Sequence, residues 1–451
     1  MSGCSTSTNK QAPRHITYWE KWTGFEGEAM DAVIDDFNAK EVAHARSDPN
    51  YAPIEVQKVT ISKIEQKLLI AIAGGNPPDI AGQYSFCVAA YADNGALTDL
   101  GPMLAKSGFD RSRYIEHYLE LGEYRGKTWA LPLAPASTAL LLNKRLFKEV
   151  GLDPERPPTT LEELDAYAEQ LTKWEVTLPN GDKQIEAGYL PDVPASQKRL
   201  IQAGFLPGEP TWFLYGWGDF FGGSLLDGPD KISVASPANI RAFEWVASYS
   251  KKLGVDVIKR FRSGFGNSSS PRSAFLSGKV ALTLQGVWMH NYIEKYAPGL
   301  QWAAAPFPYP AGHPELAGTS HAEADVLMIP RGSPHPEEAF AFMQYASTQA
   351  VLEKLCLAQQ KFTPLKNVSE QFWLGHPNPY IRLFRELGMS KNAVGIPQTG
   401  IWNEYKRELD NAVDLIQSLE LPPAVALADV QTKMQAALDR NRKILARRAS
   451  Q

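Results

Sequence analysis

The sequence predicts an α/β fold, a parallel sheet covered by helices. Three observations carry this. Short extended runs alternate with stretches of helical period through the first hundred residues. Glycine and proline clusters punctuate them, as at Gly74-Gly75-Asn76-Pro77-Pro78. Apolar residues make up 44% of 451, enough for a sizeable core.

Taken in order, His15 to Trp19 reads as a first strand. Ala29, Met30, Val33, Ile34 and Phe37 share one face of a helix at i, i+3, i+4 spacing. Ile54 to Val59 reads as a second strand, and Ile61, Ile64, Leu68 and Ile72 mark a second helix. Asp79-Ile80-Ala81 leads into a third strand. In such sheets ligands sit beyond the carboxyl ends of the strands, which draws attention to Trp19-Glu20-Lys21-Trp22 and Gly82-Gln83-Tyr84. Ser137 to Leu142 is extended. Thr160 with Glu163 forms a capping box ahead of a helix with Leu161, Leu164, Ala168 and Leu171 on one face. Residues 176–210 carry little period and read as an irregular insertion. Ile240, Phe243, Val246 and Leu253 mark a later helix, and residues 403–448 are helical with a break at Leu421-Pro422-Pro423.

Composition excludes several classes. A net charge of −4 and a pI near 6.1 give no global basic field for nucleic acid. Three cysteines exclude a disulfide-rich scaffold and a four-cysteine zinc site. No His-Glu-x-x-His, Cys-x-x-Cys or Gly-x-Ser-x-Gly occurs, and Ser273 to Val280 fails as a P-loop. His313, His321 and His335 suit no regular metal face, so neither a metal nor a cofactor is expected. No two carboxylates stand out as a glycosidase pair. Ser2-Gly3-Cys4 followed by a polar stretch ending at Pro13 looks like a lipoprotein tether, with Cys4 the lipidated residue.

A longer pattern runs through these pieces. Gln66-Lys67-Leu68-Leu69-Ile70-Ala71-Ile72-Ala73-Gly74-Gly75-Asn76-Pro77-Pro78-Asp79-Ile80 resembles the signature of family 1 extracellular solute-binding proteins, the substrate-capturing components of carbohydrate ABC importers. Asn94 to Leu100, Tyr124 to Pro132, Asn143 to Leu152, Pro158 to Leu164, Phe221-Gly222-Gly223, Phe275 to Leu282, Gly286-Val287-Trp288, Ala305 to Pro308, His335 to Ala339 and Ile396 to Trp402 follow in the family's order. Each piece is weak by itself; the collinear set covers almost the whole chain.

The resemblance implies a two-lobe periplasmic-binding-protein fold, with hinge-connected lobes and a central ligand cleft. The expected division is a disordered tether at 1–13, one lobe from 14–133 plus 303–345, and another from 134–302 plus 346–451. Cys87 and Cys356 then fall in different lobes as free thiols. The implied partners are a carbohydrate ligand and ABC permease subunits, with membrane association through the lipid anchor only, an extracytoplasmic location and a monomeric state. A hydrolase acting on carbohydrate, or a binding protein for a phosphorylated or other non-sugar solute, is the alternative.

Sugars present hydroxyls and flat C–H patches, so a site for them combines aromatic faces with directional polar groups. Glu20, Gln83 and Glu323 are expected to supply hydrogen bonds from the smaller lobe, with Tyr84 beside them. The family pattern assigns Trp288 and Trp402 to stacking on sugar rings. Trp22 and Trp217 stay open between ligand contact and packing; Asp219 accompanies Trp217. Trp129, Trp174, Trp245 and Trp302 read as packing residues. After Gly318 the family often has further glycines, whereas this chain has His321 and Glu323, whose side chains would replace backbone contacts and alter specificity.

Overall fold

The computed structural model describes residues 11–48, 50–267 and 269–450. Cys4 and most of the expected tether lie outside them. The chain divides into two compact units, one of residues 1–135 and 323–377, the other of 136–322 and 378–451. In chain order the strands are β1 (Arg14–Glu20), β2 (Ile54–Thr60), β3 (Ile80–Tyr84), a small hairpin of β4 (Glu123–Tyr124) and β5 (Lys127–Thr128), and β6 (Ala130–Asn143). Then come β7 (Lys173–Thr177), β8 (Lys183–Ala187), β9 (Lys198–Phe205), β10 (Val280–Gly286), β11 (Trp302–Ala305), β12 (Ser320–Met328) and β13 (Ala393–Val394).

In the smaller unit β1 lies between β2 and β3 and is parallel to both; β12 runs antiparallel to β3. The expected helical face is the one buried: Ala29, Met30, Val33, Ile34 and Phe37 of helix Gly24–Ser47 join Ile16, Tyr18 and Val56 in one core. Burying such a stripe is the main source of a helix's stability in a protein. Asp79, in the family-like segment, proves structural. Its carboxylate accepts from the Thr17 N–H at 2.7 Å and the His335 N–H at 3.0 Å, tying β1 to the start of helix Pro336–Ala346.

The larger unit is built on β6, β10, β9, β7 and β8 in that order, with β11 also paired to β6. Residues 138–142 of β6 are buried on both faces, as their unbroken apolar run requires. The Thr160–Glu163 capping box forms, and helix Leu161–Leu171 buries Leu161, Leu164, Ala168 and Leu171 as expected.

Three expectations need correction. Residues 176–210 are not an irregular insertion, since β8 and β9 fall inside them, antiparallel to β7. Strand β8 is an edge with almost every side chain exposed, so it shows no apolar alternation. The chain passes between units at 135/136, 322/323 and 377/378, where the sequence put 133/134, 302/303 and 345/346. Strand β11 stays with the larger unit because it pairs with β6, and helices Pro336–Ala346 and Gln349–Ala358 both pack into the smaller unit's core. Finally, Cys87 and Cys356 belong to the same unit.

Both thiols are free and buried, and burial pushes each up to about 12. A thiol is reactive only as thiolate. Peptides carrying Cys87 and Cys356 are therefore expected to escape iodoacetamide in the native protein and to be labelled after denaturation. Mass-spectrometric mapping that finds either one alkylated natively at neutral pH contradicts the burial.

Candidate functional site

In the smaller unit the turn after β1 is organised by Glu20. Its carboxylate is fully buried and accepts from the Lys21 N–H at 2.7 Å, the Trp22 N–H at 3.2 Å and the Tyr18 hydroxyl. Gln83 is equally buried; its amide donates to the Tyr91 hydroxyl at 3.2 Å and accepts from the Cys87 thiol. Both residues expected to offer hydrogen bonds outward thus have internal partners, because each sits on the core side at a strand end. Glu323 is half-buried and accepts from the Ser85 hydroxyl at 2.5 Å. Tyr84 is the exposed aromatic here. Its ring stacks on Phe86 at 5.1 Å, with the Lys21 ammonium 4.6 Å from its centroid.

Behind this corner lies a charge network that sequence reading missed. The Lys21 ammonium is 2.9 Å from Asp325 and 3.5 Å from Glu20. The Lys361 ammonium is 2.7 Å from Glu26 and 3.2 Å from Asp325. Both ammoniums flank the buried ring of Trp22. Burial by itself would lower both lysines, but the facing carboxylates outweigh it and raise them. Burial likewise works to raise Asp325, and the two ammoniums outweigh it and hold it below the ordinary carboxylate range.

In the larger unit His321 Nε2 lies 3.1 Å from Asp219 Oδ2 and 3.2 Å from the Gly216 carbonyl oxygen. The ring sits between Phe213 and Phe220, at centroid distances of 4.8 and 5.1 Å. Residue 216 must be glycine for this, since a Cβ there would meet the imidazole at 2.4 Å. Trp288, half-buried just after β10, lies flat on Gly286, where a Cβ would meet the indole at 2.1 Å. Trp212 packs 4.6 Å from Trp288, and Phe213 lies 6.4 Å from it. Trp212, Trp288, Phe213, His321 and Asp219 thus form one aromatic and polar cluster. Trp212 carried no family motif and was not singled out.

The remaining tryptophans sort by burial. Trp217 is buried, donates from Nε1 to the Pro207 carbonyl at 3.1 Å and packs on Phe205 and Trp245. Trp402 is 1% exposed and meets Tyr215 and Tyr405 edge to face, so its ring is spent on packing rather than presented. Trp174 is fully buried, as expected for packing, whereas Trp129, Trp245 and Trp302 are half-buried. Among the described residues no three His, Cys, Asp or Glu side chains gather as a metal ligand set, and no helix is long and apolar enough to cross a membrane.

Two α/β units, each carrying polar groups beside an aromatic face at its strand ends, define a binding protein for a small polar solute. The family model for bacterial extracellular solute-binding protein matches residues 32–377, and the chain belongs to that family. The sn-glycerol-3-phosphate-binding periplasmic protein UgpB of Escherichia coli strain K12 is 29% identical over 178 residues, 38% of each chain. The match thus spans well under half the length of these curated relatives. Among solved structures, CpMnBP1 with mannobiose bound superposes with a TM-score of 0.76 at 26% identity, covering 94% of this chain and 99% of that one. With mannotriose bound the values are 0.75, 28%, 93% and 99%. The fold is therefore the two-lobe periplasmic-binding-protein fold expected from the sequence.

Proposed function

We propose that the chain is an extracytoplasmic receptor that captures a sugar, an oligosaccharide rather than a monosaccharide, and delivers it to the permease of an ABC importer. The observation that carries this is the Trp212–Trp288 pair beside His321 and Asp219. Indole faces cover the C–H patches of a sugar ring, while a carboxylate and an imidazole orient hydroxyls. Within the smaller unit, Tyr84 and Glu323 are the exposed aromatic and the half-buried carboxylate beside the end of β3. The likeness to a protein solved with mannobiose and mannotriose supports the same class.

The phosphorylated-polyol reading takes its support from the E. coli relative. Against it, the two buried ammoniums of the smaller unit already face Glu20, Glu26 and Asp325, so neither Lys21 nor Lys361 is free to pair with phosphate. The role is capture, not catalysis. Cys4 serves as the lipid anchor, which an intact-mass measurement of protein extracted from native membranes tests.

Tryptophan-fluorescence and calorimetric titrations with mannobiose, mannotriose, maltose, glucose and glycerol 3-phosphate test the reading. An oligosaccharide is expected to bind, to raise stability by about 2.7 kcal/mol at a hundredfold excess over its Kd, and to be recovered unchanged after long incubation. Smaller sugars released on incubation would make the chain a hydrolase. Binding of glycerol 3-phosphate with all sugars silent would make it a receptor for phosphorylated solutes.

A further inference from the structure

The larger unit has a cavity of about 780 Å³ that holds none of the residues above. Its lining brings together Lys198, Arg199, Arg260, Arg272 and Lys279, with no aspartate or glutamate among the lining residues. These cations come from four separate stretches, so folding, not a run of basic sequence, gathers them. Arg199 is paired with Glu175 at 3.1 Å, and Lys198 donates to the Leu190 carbonyl over the face of Trp174. Arg260, Arg272 and Lys279 have no carboxylate partner among the described residues. Leu200, Val257, Phe261 and Phe265 supply an apolar part of the lining. Cations converging on one concavity repel one another, and in a chain of net charge −4 no global excess of positive charge explains them.

The location is separate from the aromatic cluster. Lys279 immediately precedes β10, while Gly286 and Trp288 stand at its other end. Seven residues of strand put the two ends roughly 20 Å apart. Lys198 and Arg199 open β9, which runs parallel to β10, so the basic cavity sits at the amino ends of both strands.

We propose that this cavity is a second binding site, for a phosphate-bearing organic anion whose apolar part rests on Phe261 and Phe265. Guanidinium groups match phosphate oxygens bidentately, and two arginines without carboxylate partners are available for it. The anion's source is either a soluble phosphorylated solute or the headgroup of an anionic lipid; the chemistry is the same.

The test uses the full chain and the double variant Arg260→Gln/Arg272→Gln, whose positions are exposed. An unchanged thermal midpoint shows that the variant is folded. The probes are inorganic phosphate and glycerol 3-phosphate by calorimetry, and co-sedimentation with phosphatidylglycerol against phosphatidylcholine vesicles. Glycerol 3-phosphate binding weakened roughly tenfold or more in the variant supports the site and a soluble source. Phosphatidylglycerol binding lost in the variant, with glycerol 3-phosphate silent, supports the site and a lipid source. No binding of any probe at millimolar concentration, or equal binding by wild type and variant, overturns it.

Discussion

Asp325→Ala is expected to lower the unfolding free energy by about 3 kcal/mol, read from urea denaturation. The carboxylate stands between two buried ammoniums, 2.9 Å from Lys21 and 3.2 Å from Lys361. Removing it leaves each lysine with a single carboxylate, Glu20 or Glu26. Such a group costs far more to delete than an exposed ion, because the charges left behind are desolvated. Lys231→Met, which breaks an exposed pair with Asp227, should be nearly silent. Asp325→Asn should recover little if charge rather than shape matters.

The same network sets a pH dependence. Asp325 is depressed when folded, so its contribution is present above the unfolded value of about 4 and is lost as pH falls through the lower folded value. Lys21 and Lys361 are raised, so theirs is complete below about 10.4 and is lost only as pH rises through higher folded values. Stability from this cluster should therefore be flat from about pH 5 to 9 and fall on the acid side first. An Asp325→Ala protein as stable as wild type at pH 7, with an unchanged acid limb, would remove the network from the stability of the fold.

Trp288→Ala is expected to weaken binding of the proposed sugar ligand about thirtyfold, some 2 kcal/mol, with little change in thermal midpoint. Its ring is half-buried and lies on the Gly286 backbone beside Trp212. Gly286→Val should reproduce the loss with Trp288 itself retained, because the new side chain displaces the indole from its place. Trp402→Ala should behave in the opposite way. With 1% exposure its loss opens a cavity costing about 3–5 kcal/mol of stability. Equal affinity in Trp288→Ala and wild type, measured by calorimetry, would take the residue out of the site.

These two tryptophans show where local sequence stops being informative. Both stand in family-like segments, and in sequence both appear equally suited to stacking. Trp288 stays half-buried, its ring on Gly286 two residues earlier and beside Trp212. Trp402 loses its face to Tyr215, nearly two hundred residues away in the chain. His321 was visible as a departure from the family pattern, and Asp219 as a neighbour of Trp217. Their pairing across a hundred residues was not visible.

By itself the sequence determined the alternation of strand and helix through β1, β2 and β3, the buried face of helix Gly24–Ser47, the capping box at Thr160 and the family. Each of these follows from spacing of 2 or 3.6 residues, from cap chemistry within one turn, or from ordered motifs. Only the tertiary structure decided that β8 is a strand, since an edge exposed on both faces leaves no alternation to read. It alone decided that Glu20 and Gln83 turn inward, that Asp325 is shared by Lys21 and Lys361, and that five cations meet in one cavity. The physical reason is common to all of them. Burial and charge pairing depend on where folding sets each side chain against the rest of the core, whether its partner is two residues away, as Tyr18 is from Glu20, or hundreds, as Asp325 is from Lys21, and local spacing shows neither.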